Sequence, residues 1–147
     1  MLRADPNAPV VFSSVNGDLA SAVTLLTDLA RKELLSPALF SLSVHNAPAG
    51  VLGLCLSERG DHTAIAGGDA TLSSALLECF TRLADEDVES VVLIHADERL
   101  PSAYAELDND TPGAIITARL RRAQNADGAG PVAPGRAGAV ALARALH

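Results

Sequence analysis

The stretch from Thr63 to Thr71, which reads Thr-Ala-Ile-Ala-Gly-Gly-Asp-Ala-Thr, combines a β-prone run, a double-glycine turn and the start of a helical pattern. Residue 69 therefore lies where a strand ends and a helix begins. Unpaired backbone N–H groups and the positive end of the helix dipole meet at such a point. That environment favours a thiolate and stabilises developing negative charge, so it suits a nucleophile. The residue present is an aspartate, which is also a good helix N-cap.

Regular patterns extend on both sides of this turn. Apolar residues recur with helical spacing over residues 70–84, and an earlier apolar stripe over residues 19–33 predicts a helix that Asp18 can cap. Pro9–Ser13 is a short β-prone run. The continuous apolar run within Ser90–Ala96 is typical of a central strand that is covered on both faces.

The segment before the double-glycine turn is strongly apolar. Apolar and polar residues alternate over 40–44, which predicts a short extended segment. Pro48 suits the first turn of a helix at about Ala47–Ser57. Because the residues of this helix are apolar nearly all round, it is expected to be buried on most sides.

The order strand, helix, strand, helix, strand predicts an α/β fold with a mostly parallel sheet and helices packed on it. Ala114–Leu120 is predicted as a further strand. We interpret residues 1–123 as one α/β domain. The Gly, Ala and Pro content that follows predicts that residues 124–147 form a flexible link and a short C-terminal helix or tail.

Composition argues against nucleic acid as a partner. Eighteen acidic against eleven basic residues give a net charge of −7, which disfavours binding to a phosphate backbone. There is no Trp, one Tyr and three Phe, so no aromatic platform for stacked bases is expected. The one basic cluster is Arg119, Arg121 and Arg122. We interpret it as a solvated strand end, with contact to an acidic partner or a phosphate as the alternative.

Cys55 and Cys79 are the only cysteines, and each has apolar neighbours, which predicts reduced thiols in a buried cytosolic core. No CxxC or HExxH spacing occurs, so neither a metal nor a cofactor is expected. The apolar runs are too short to span a bilayer, and the N-terminus has no export pattern. A cytoplasmic protein without a membrane span is the resulting expectation.

Three segments of the chain resemble the N-terminal half of β-ketoacyl synthases. They are Ser41–Gly50 with its Asn-x-Pro-Ala-Gly motif, the turn Ala64–Thr71 and the strand Val91–Asp97. The chain is especially similar to short ketosynthase-like proteins of aryl-polyene and related fatty-acid or polyketide-type pathways, over about Val10–Tyr104. The resemblance implies a thiolase-like half-domain. In active members a cysteine carries the acyl chain, and it falls on Asp69, so the resemblance implies that this chain cannot hold an acyl group as a thioester.

The resemblance further implies a non-catalytic subunit, similar to a chain-length factor. Such a subunit pairs with an active ketosynthase and helps to shape the tunnel for an acyl chain that acyl carrier protein delivers. The candidate tunnel or turn residues are Gly67, Gly68, Asp69, Ala70, His45 and Asn46. The strand His62–Ala66 is expected at the sheet edge, where it would pair antiparallel with a ketosynthase or a second copy. Its residues are His62, Thr63, Ala64, Ile65 and Ala66.

Two other functions stay open. The first is a small acyl-thioester hydrolase or decarboxylase with Asp69 or His45 as base, although a carboxylate at a helix N-terminus is a weak base. The second is a truncated homodimeric structural module. A histidine that is hydrogen-bonded at a helix start is the simpler interpretation of His45. His95 has no identifiable partner in the sequence, and Asp97 with its neighbouring acid is interpreted as part of a solvated loop.

Overall fold

Four strands and four helices make up the computed structural model, which describes residues 7–56, 60–107 and 113–122. The strands are β1 (Val10–Ser13), β2 (His62–Ile65), β3 (Ser90–Asp97) and β4 (Ala114–Arg121). The helices are α1 (Leu19–Ala30), α2 (Pro37–Ser43), α3 (Ala47–Leu56) and α4 (Thr71–Leu83). Two 3₁₀ segments, Gly68–Ala70 and Ser102–Leu107, complete the regular structure. All the predicted strands except the extended segment at 40–44 are confirmed to within two residues.

The strands form one sheet in the order β2-β1-β3-β4. β1 is parallel to both β2 and β3, whereas β4 is antiparallel to β3. This confirms the predicted α/β fold with a mostly parallel sheet. It also confirms that β3 is an interior strand, while β2 and β4 form the two edges of the sheet within the described residues.

α4 packs on one face of the sheet and forms the hydrophobic core together with it. Its apolar residues recur every three or four positions, so they share one side of the helix. They lie against alternate residues of the strands, because alternate side chains of a strand point to one face. The buried cluster comprises Val11, Leu72, Ala75, Leu76, Cys79, Leu83, Val91, Leu93 and Ile116. Fully burying one such leucine contributes about 1.5–3 kcal/mol.

α3 packs against β1 and β2 on the other face, where Phe12 contacts His45 just before the helix. Ala49 is buried there, but Val51 is 44% exposed and Leu54 is 83% exposed. The expectation that this helix is buried on most sides is therefore wrong for the single chain. The described residues contain no further layer to cover its outer surface.

Residues 40–43 belong to a helix and not to an extended segment, so that prediction is wrong for all but Val44, which follows the helix with an extended backbone. Ser36 is the N-cap of α2, since its Oγ accepts a hydrogen bond from the Leu39 N–H at 3.2 Å. Pro37 occupies the first turn, where its fixed φ suits the helix and no N–H is needed. The alternation of apolar and polar residues is too short to outweigh this strong start signal.

α1 begins as predicted. Asp18 caps it: Oδ1 accepts from the Ser21 N–H at 2.9 Å and Oδ2 accepts from the Ser21 Oγ at 2.6 Å. The helix ends at Ala30, three residues before the predicted end. Lys32, with φ of 57°, lies in the left-handed region and turns the chain away from the helix axis.

Arg122 is exposed, as is Arg121, which agrees with the interpretation of a solvated strand end, but it also makes hydrogen bonds within the chain. Its guanidinium donates to the Leu83 carbonyl at 2.9 Å and to the Asp85 carbonyl at 2.8 Å. A cation on the last carbonyls of α4 also complements the negative end of the helix dipole. The end of β4 is thereby attached to the end of α4. The predicted link and tail at 124–147 lie outside the described residues.

Within those residues, no single helix is long and apolar enough to cross a bilayer. Pro37–Ser43 and Ala47–Cys55 pass such a test of length and composition only as a pair, across a bend of 97°.

Candidate functional site

The double-glycine turn after β2 is held together by Thr71. The Thr71 hydroxyl accepts from the Gly67 N–H at 2.9 Å and donates to the Gly68 carbonyl at 2.7 Å. Gly68 has a φ of 55°, which explains the glycine there, because other residues rarely adopt this conformation. The Ala70 N–H donates to the Gly67 carbonyl at 3.0 Å and closes the 3₁₀ turn. The first helical turn of α4 is thus held by a threonine.

Asp69 lies in this 3₁₀ turn and is exposed in the single chain. The N-cap of α4 is Ala70, without a side-chain hydrogen bond, so the interpretation of Asp69 as an N-cap is wrong. Asp69 also lines neither of the two cavities described for this chain. The turn therefore presents the carboxylate outward at the carboxyl end of β2, together with Gly67, Gly68 and Ala70.

His45 lies in a separate place, at the turn before α3. Its Nε2 donates to the Ser14 carbonyl at 3.0 Å, because a carbonyl oxygen can only accept. Its ring lies edge-on to Phe12 with a centroid distance of 6.3 Å. A hydrogen-bonded histidine at a helix start is therefore confirmed. Asn46 is exposed, and its carbonyl accepts from the Gly50 N–H at 3.1 Å within the first turn of α3.

A cavity of about 260 Å³ opens at the carboxyl ends of β1 and β3, beside His45. β1 connects to β2 on one side of itself and the chain then crosses to β3 on the other side, so a crevice opens between the ends of β1 and β3. Parallel α/β sheets bind ligands at such a switch point. Its walls are mostly apolar and consist of Phe12, Ser14, Gly17, Asp18, Leu42, Val44, His45, Pro48, Ala96 and Glu98.

Gly17 sets the shape of this crevice. Its φ is 62°, and a Cβ at this position would lie 2.8 Å from His45 Nδ1. The turn between β1 and α1 can therefore adopt its left-handed conformation and approach the imidazole closely only because residue 17 has no side chain. His45 and Asp69 do not share a site, and no hydrogen bond or ion pair between described residues joins them.

Beside the crevice, Ser13, His95 and Asp97 form a buried hydrogen-bonded array that the sequence did not predict. Ser13 Oγ lies 3.0 Å from His95 Nδ1, and His95 Nε2 lies 3.2 Å from Asp97 Oδ2. The interpretation of His95 as having no partner is therefore wrong. So is the interpretation of Asp97 as part of a solvated loop. Serine and aspartate at the ends of adjacent parallel strands would have indicated the array only if the strand order had been known.

Asp97 also receives three hydrogen bonds from the turn after β1. Oδ1 accepts from Ser14 Oγ and the Val15 N–H, both at 2.8 Å, and from the Asn16 N–H at 3.3 Å. Burial alone would raise the pKa of Asp97, but the hydrogen bonds from His95, Ser14, Val15 and Asn16 outweigh it, so the pKa lies below its ordinary value. The ionised carboxylate therefore fixes the turn on which Gly17 lies.

The array is not a hydrolase triad, despite its composition. Ser13 has no exposed surface, so a substrate carbonyl cannot reach its oxygen. His95 is also buried, and both of its ring nitrogens are engaged within the array. A general base must reach the proton that it removes from the reacting group. The array consequently supports the crevice and does not present a nucleophile and base to its surface.

The two cysteines differ from each other. Cys79 is buried in the core under α4, and loss of solvation, with a smaller effect of Glu78, raises the pKa of its thiol to about 11. Cys55 is exposed on α3, so the expectation that it is buried is wrong. Neither sulfur belongs to the turn that contains Asp69. The described residues contain no cluster of His, Cys, Asp and Glu side chains that could hold a metal ion.

β2 forms the sheet edge nearest to this turn, as expected. His62 is exposed, while Thr63, Ala64 and Ile65 are half-buried. Ala66 lies one residue beyond the strand. A hydrogen bond connects α4 to the strand, since Arg82 donates to the Thr63 hydroxyl. Pairing of this edge with a partner strand stays a prediction.

The sheet order and the layers on both faces define an α/β half-domain of the thiolase-like kind. A family model described as "Beta-ketoacyl synthase, N-terminal domain" matches residues 1–129. The chain therefore belongs to the β-ketoacyl synthase N-terminal domain family, which confirms the resemblance stated above. No curated protein matches it.

A solved structure has the same fold. It is described as a ketosynthase (ApeO) in complex with its chain length factor (ApeC) from Xenorhabdus doucetiae, and it matches with a TM-score of 0.75 and 22% identity. The match covers 82% of this chain and 51% of the other. This chain thus corresponds to about half of the length of the chain that it matches.

Proposed function

We propose that this chain is a non-catalytic, chain-length-factor-like subunit that pairs with a β-ketoacyl synthase. In the cytoplasm it would help to shape the tunnel in which an acyl chain grows, during fatty-acid or polyketide-type elongation with acyl carrier protein as donor. The observation that carries the proposal is the carboxylate that Asp69 presents in the turn after β2. The resemblance to β-ketoacyl synthases implies that active members have their nucleophilic cysteine at this position.

The chemistry of the turn supports a subunit without condensing activity. A condensing enzyme holds the acyl chain as a thioester, and a carboxylate cannot form one. Cys79 cannot substitute, because its thiol is buried and stays protonated at neutral pH with a pKa of about 11. Cys55 lies on α3, a different element from the turn.

The unpartnered surface around β2 supports pairing with another subunit. β2 has a neighbouring strand on one side only within the described residues, and an unpaired strand edge is a template for another chain. α3, which packs on β1 and β2, exposes Val51 and Leu54. A helix that is apolar nearly all round is normally buried in a larger assembly. The edge and the helix together form the surface that we call the β2–α3 surface.

Assembly tests the pairing directly. The chain is co-expressed with a β-ketoacyl synthase of the same organism, and the mass of the purified complex is measured by light scattering after gel filtration. Leu54→Asp should weaken the complex at least tenfold, because it places a charge in the β2–α3 surface. Leu34→Asp is the matched control, since Leu34 is 99% exposed in the loop between α1 and α2 and should leave the complex intact. A chain that stays a monomer beside the ketosynthase contradicts the proposal, and a stable homodimer favours the structural module.

Chemistry at residue 69 is tested separately. Incubation with acyl carrier protein thioesters should give no acyl adduct by intact mass spectrometry, and the hydrolysis rates of the wild type and of Asp69→Ala should be equal and near zero. Asp69→Cys should be alkylated by iodoacetamide faster than Cys55, because the start of α4 stabilises a thiolate. Thioester turnover that Asp69→Ala abolishes would replace the proposal with the hydrolase interpretation.

A further inference from the structure

Two guanidinium nitrogens of Arg119, near the carboxyl end of β4, have no hydrogen-bond partner among the described residues. They are Nε and Nη2, and both are buried. Buried polar groups in folded proteins are nearly always paired, so an exception calls for an explanation. An unpaired buried donor destabilises the folded chain, and more so when it is charged.

Other arginines of the same region are satisfied within the chain. Arg122 donates to the Leu83 and Asp85 carbonyls at the end of α4. Arg82 forms an ion pair with Glu78 at 2.7 Å. Arg119 therefore differs from Arg122 and Arg82, whose guanidinium groups have partners within the chain.

The surroundings of Arg119 form an uncovered surface. Ile116, Ala118 and Leu120 pack toward the core under α4, so the alternate residues Ile115, Thr117 and Arg119 lie on the opposite face of the sheet. On that face Ile115 is 77% exposed and Thr117 is exposed. Within the described residues β4 pairs only with β3, which leaves the other edge of this eight-residue strand without a neighbour.

Charge complementarity indicates what binds there. The whole chain carries a net charge of −7, yet β4 contains two arginines and no acidic residue. An extended segment that adds a strand to an exposed edge gains main-chain hydrogen bonds, and its side chains alternate between the two faces. A carboxylate on such a segment can accept a charge-assisted hydrogen bond from the part of the Arg119 guanidinium that is not buried, because the residue as a whole is half-buried.

We infer that β4 binds an extended acidic segment of a partner protein, with one carboxylate of that segment on Arg119. This surface is distinct from the β2–α3 surface, because β2 and β4 are the opposite edges of the sheet. The inference therefore does not depend on the proposed pairing with a ketosynthase. One protein can occupy β2 while another occupies β4.

The first experiment selects binders from a phage-displayed library of random twelve-residue peptides on the immobilised full chain. Enriched peptides should combine β-prone residues with at least one Asp or Glu. The affinity of a synthetic copy, measured by fluorescence anisotropy, should fall at least tenfold with Arg119→Met, and also when its acid is changed to the amide. Arg31→Met, which removes an exposed arginine at the end of α1, is the control outside β4 and should change affinity less than threefold. Failure to enrich acidic peptides, or equal binding to Arg119→Met, overturns the inference.

The second experiment separates a binding role from a structural one. If Arg119 is kept desolvated for a partner, then Arg119→Met removes an unpaired charge and should raise the urea midpoint of the single chain. If the arginine stabilises the fold, the same change lowers the midpoint, and the inference is overturned. Since this readout needs no ligand, it remains decisive whatever the peptide selection yields.

Discussion

The two faces of the sheet are covered in different ways. On one face, α4 forms a core in which its inward side chains are buried against β1, β3 and β4. On the other face, Leu25 and Ala49 are the only buried apolar residues among the described side chains of α1, α2 and α3. Large apolar side chains are exposed there instead, namely Leu26, Leu29, Phe40, Leu42, Val51 and Leu54.

The two faces therefore differ in role. The α4 face stabilises the single chain, whereas the layer of α1, α2 and α3 leaves apolar side chains accessible to another chain. The α4 face buries its apolar surface within the chain, and hydrophobic burial is the main favourable contribution to folding. The layer of α1, α2 and α3 keeps several large apolar side chains exposed, and exposed apolar patches in proteins mark interaction sites. Apolar side chains thus stabilise the fold on one face and, in our proposal, contact another subunit on the other face.

The largest expected effect contrasts Leu93 with Leu54. Leu93→Ala leaves a cavity in the core under α4 and should lower the free energy of unfolding by about 2–5 kcal/mol. Leu54→Ala should change it by less than about 0.5 kcal/mol, because this side chain is largely in solvent. Urea unfolding of the single chain measures both values. Equal losses would show that the outer layer also stabilises the monomer, and the comparison would fail.

The next effect concerns Asp97, which fixes the turn between the two layers. Asp97→Asn should cost about 1–3 kcal/mol at neutral pH, because the hydrogen bonds to an ionised acceptor are weakened. The folded-state pKa of Asp97 lies below its unfolded value. Its stabilisation is therefore complete above the ordinary pKa of about 3.9 and is lost as pH falls through the folded-state value.

Urea midpoints measured from pH 7 down to pH 3 test this dependence. The wild type should lose stability on acidification, and Asp97→Asn should lose less. Glu86→Gln, which changes an exposed loop acid, serves as the control and should follow the wild type. Parallel curves for the wild type and Asp97→Asn would show that this carboxylate does not couple folding to pH.

A smaller effect distinguishes two glycines. Gly17→Ala introduces a Cβ against His45 at a positive φ and should cost about 1–2 kcal/mol. Gly50→Ala lies within α3, where no atom is within 4 Å of the added Cβ, and should instead stabilise the chain by about 0.5–1 kcal/mol. Thermal unfolding compares the two variants. A loss at residue 50 would show that α3 is packed more tightly than its exposure indicates.

The smallest expected effect is a difference in reactivity between the two native thiols, which lie on opposite faces of the sheet. In the folded chain iodoacetamide should modify Cys55 and leave Cys79 unmodified, since Cys79 is buried with a pKa of about 11. Both should react in urea, which is the control for reagent access. Mass spectrometry of the alkylated chain counts the modified thiols. Rapid labelling of Cys79 under native conditions would show that the core under α4 opens readily.

Local patterns predicted most of the elements of this fold. The Asp18 cap, the apolar periodicity of α4 and the continuous apolar run of β3 each arise from neighbouring residues, so they can be derived without tertiary information. α2 was also signalled, by Ser36 followed by Pro37, but the alternation at 40–44 led to the opposite prediction. A capping signal is a stronger indicator than an alternation of five residues, because it satisfies specific backbone groups.

The exposure of α3 could not be derived in the same way. A helix that is apolar all round indicates burial, but the pattern does not say whether the chain itself or another chain provides the cover. The sequence of the basic cluster likewise does not say which of its arginines finds a partner. Arg122 donates to carbonyls at the end of α4, and Arg121 is exposed. Arg119 is half-buried, with two nitrogens that have no partner among the described residues, although all three arginines lie within four residues.

The sequence by itself determined most of the local elements and the presence of a carboxylate in the turn after β2, because both depend on residues that are adjacent in the chain. Only the tertiary structure decided that Asp97 meets Ser14 and Val15, more than 80 residues away, and that His95 lies between Ser13 and Asp97. These contacts require β1 and β3 to be neighbours in the sheet. Strand order is set by how the whole chain buries its apolar surface, and no short segment records it.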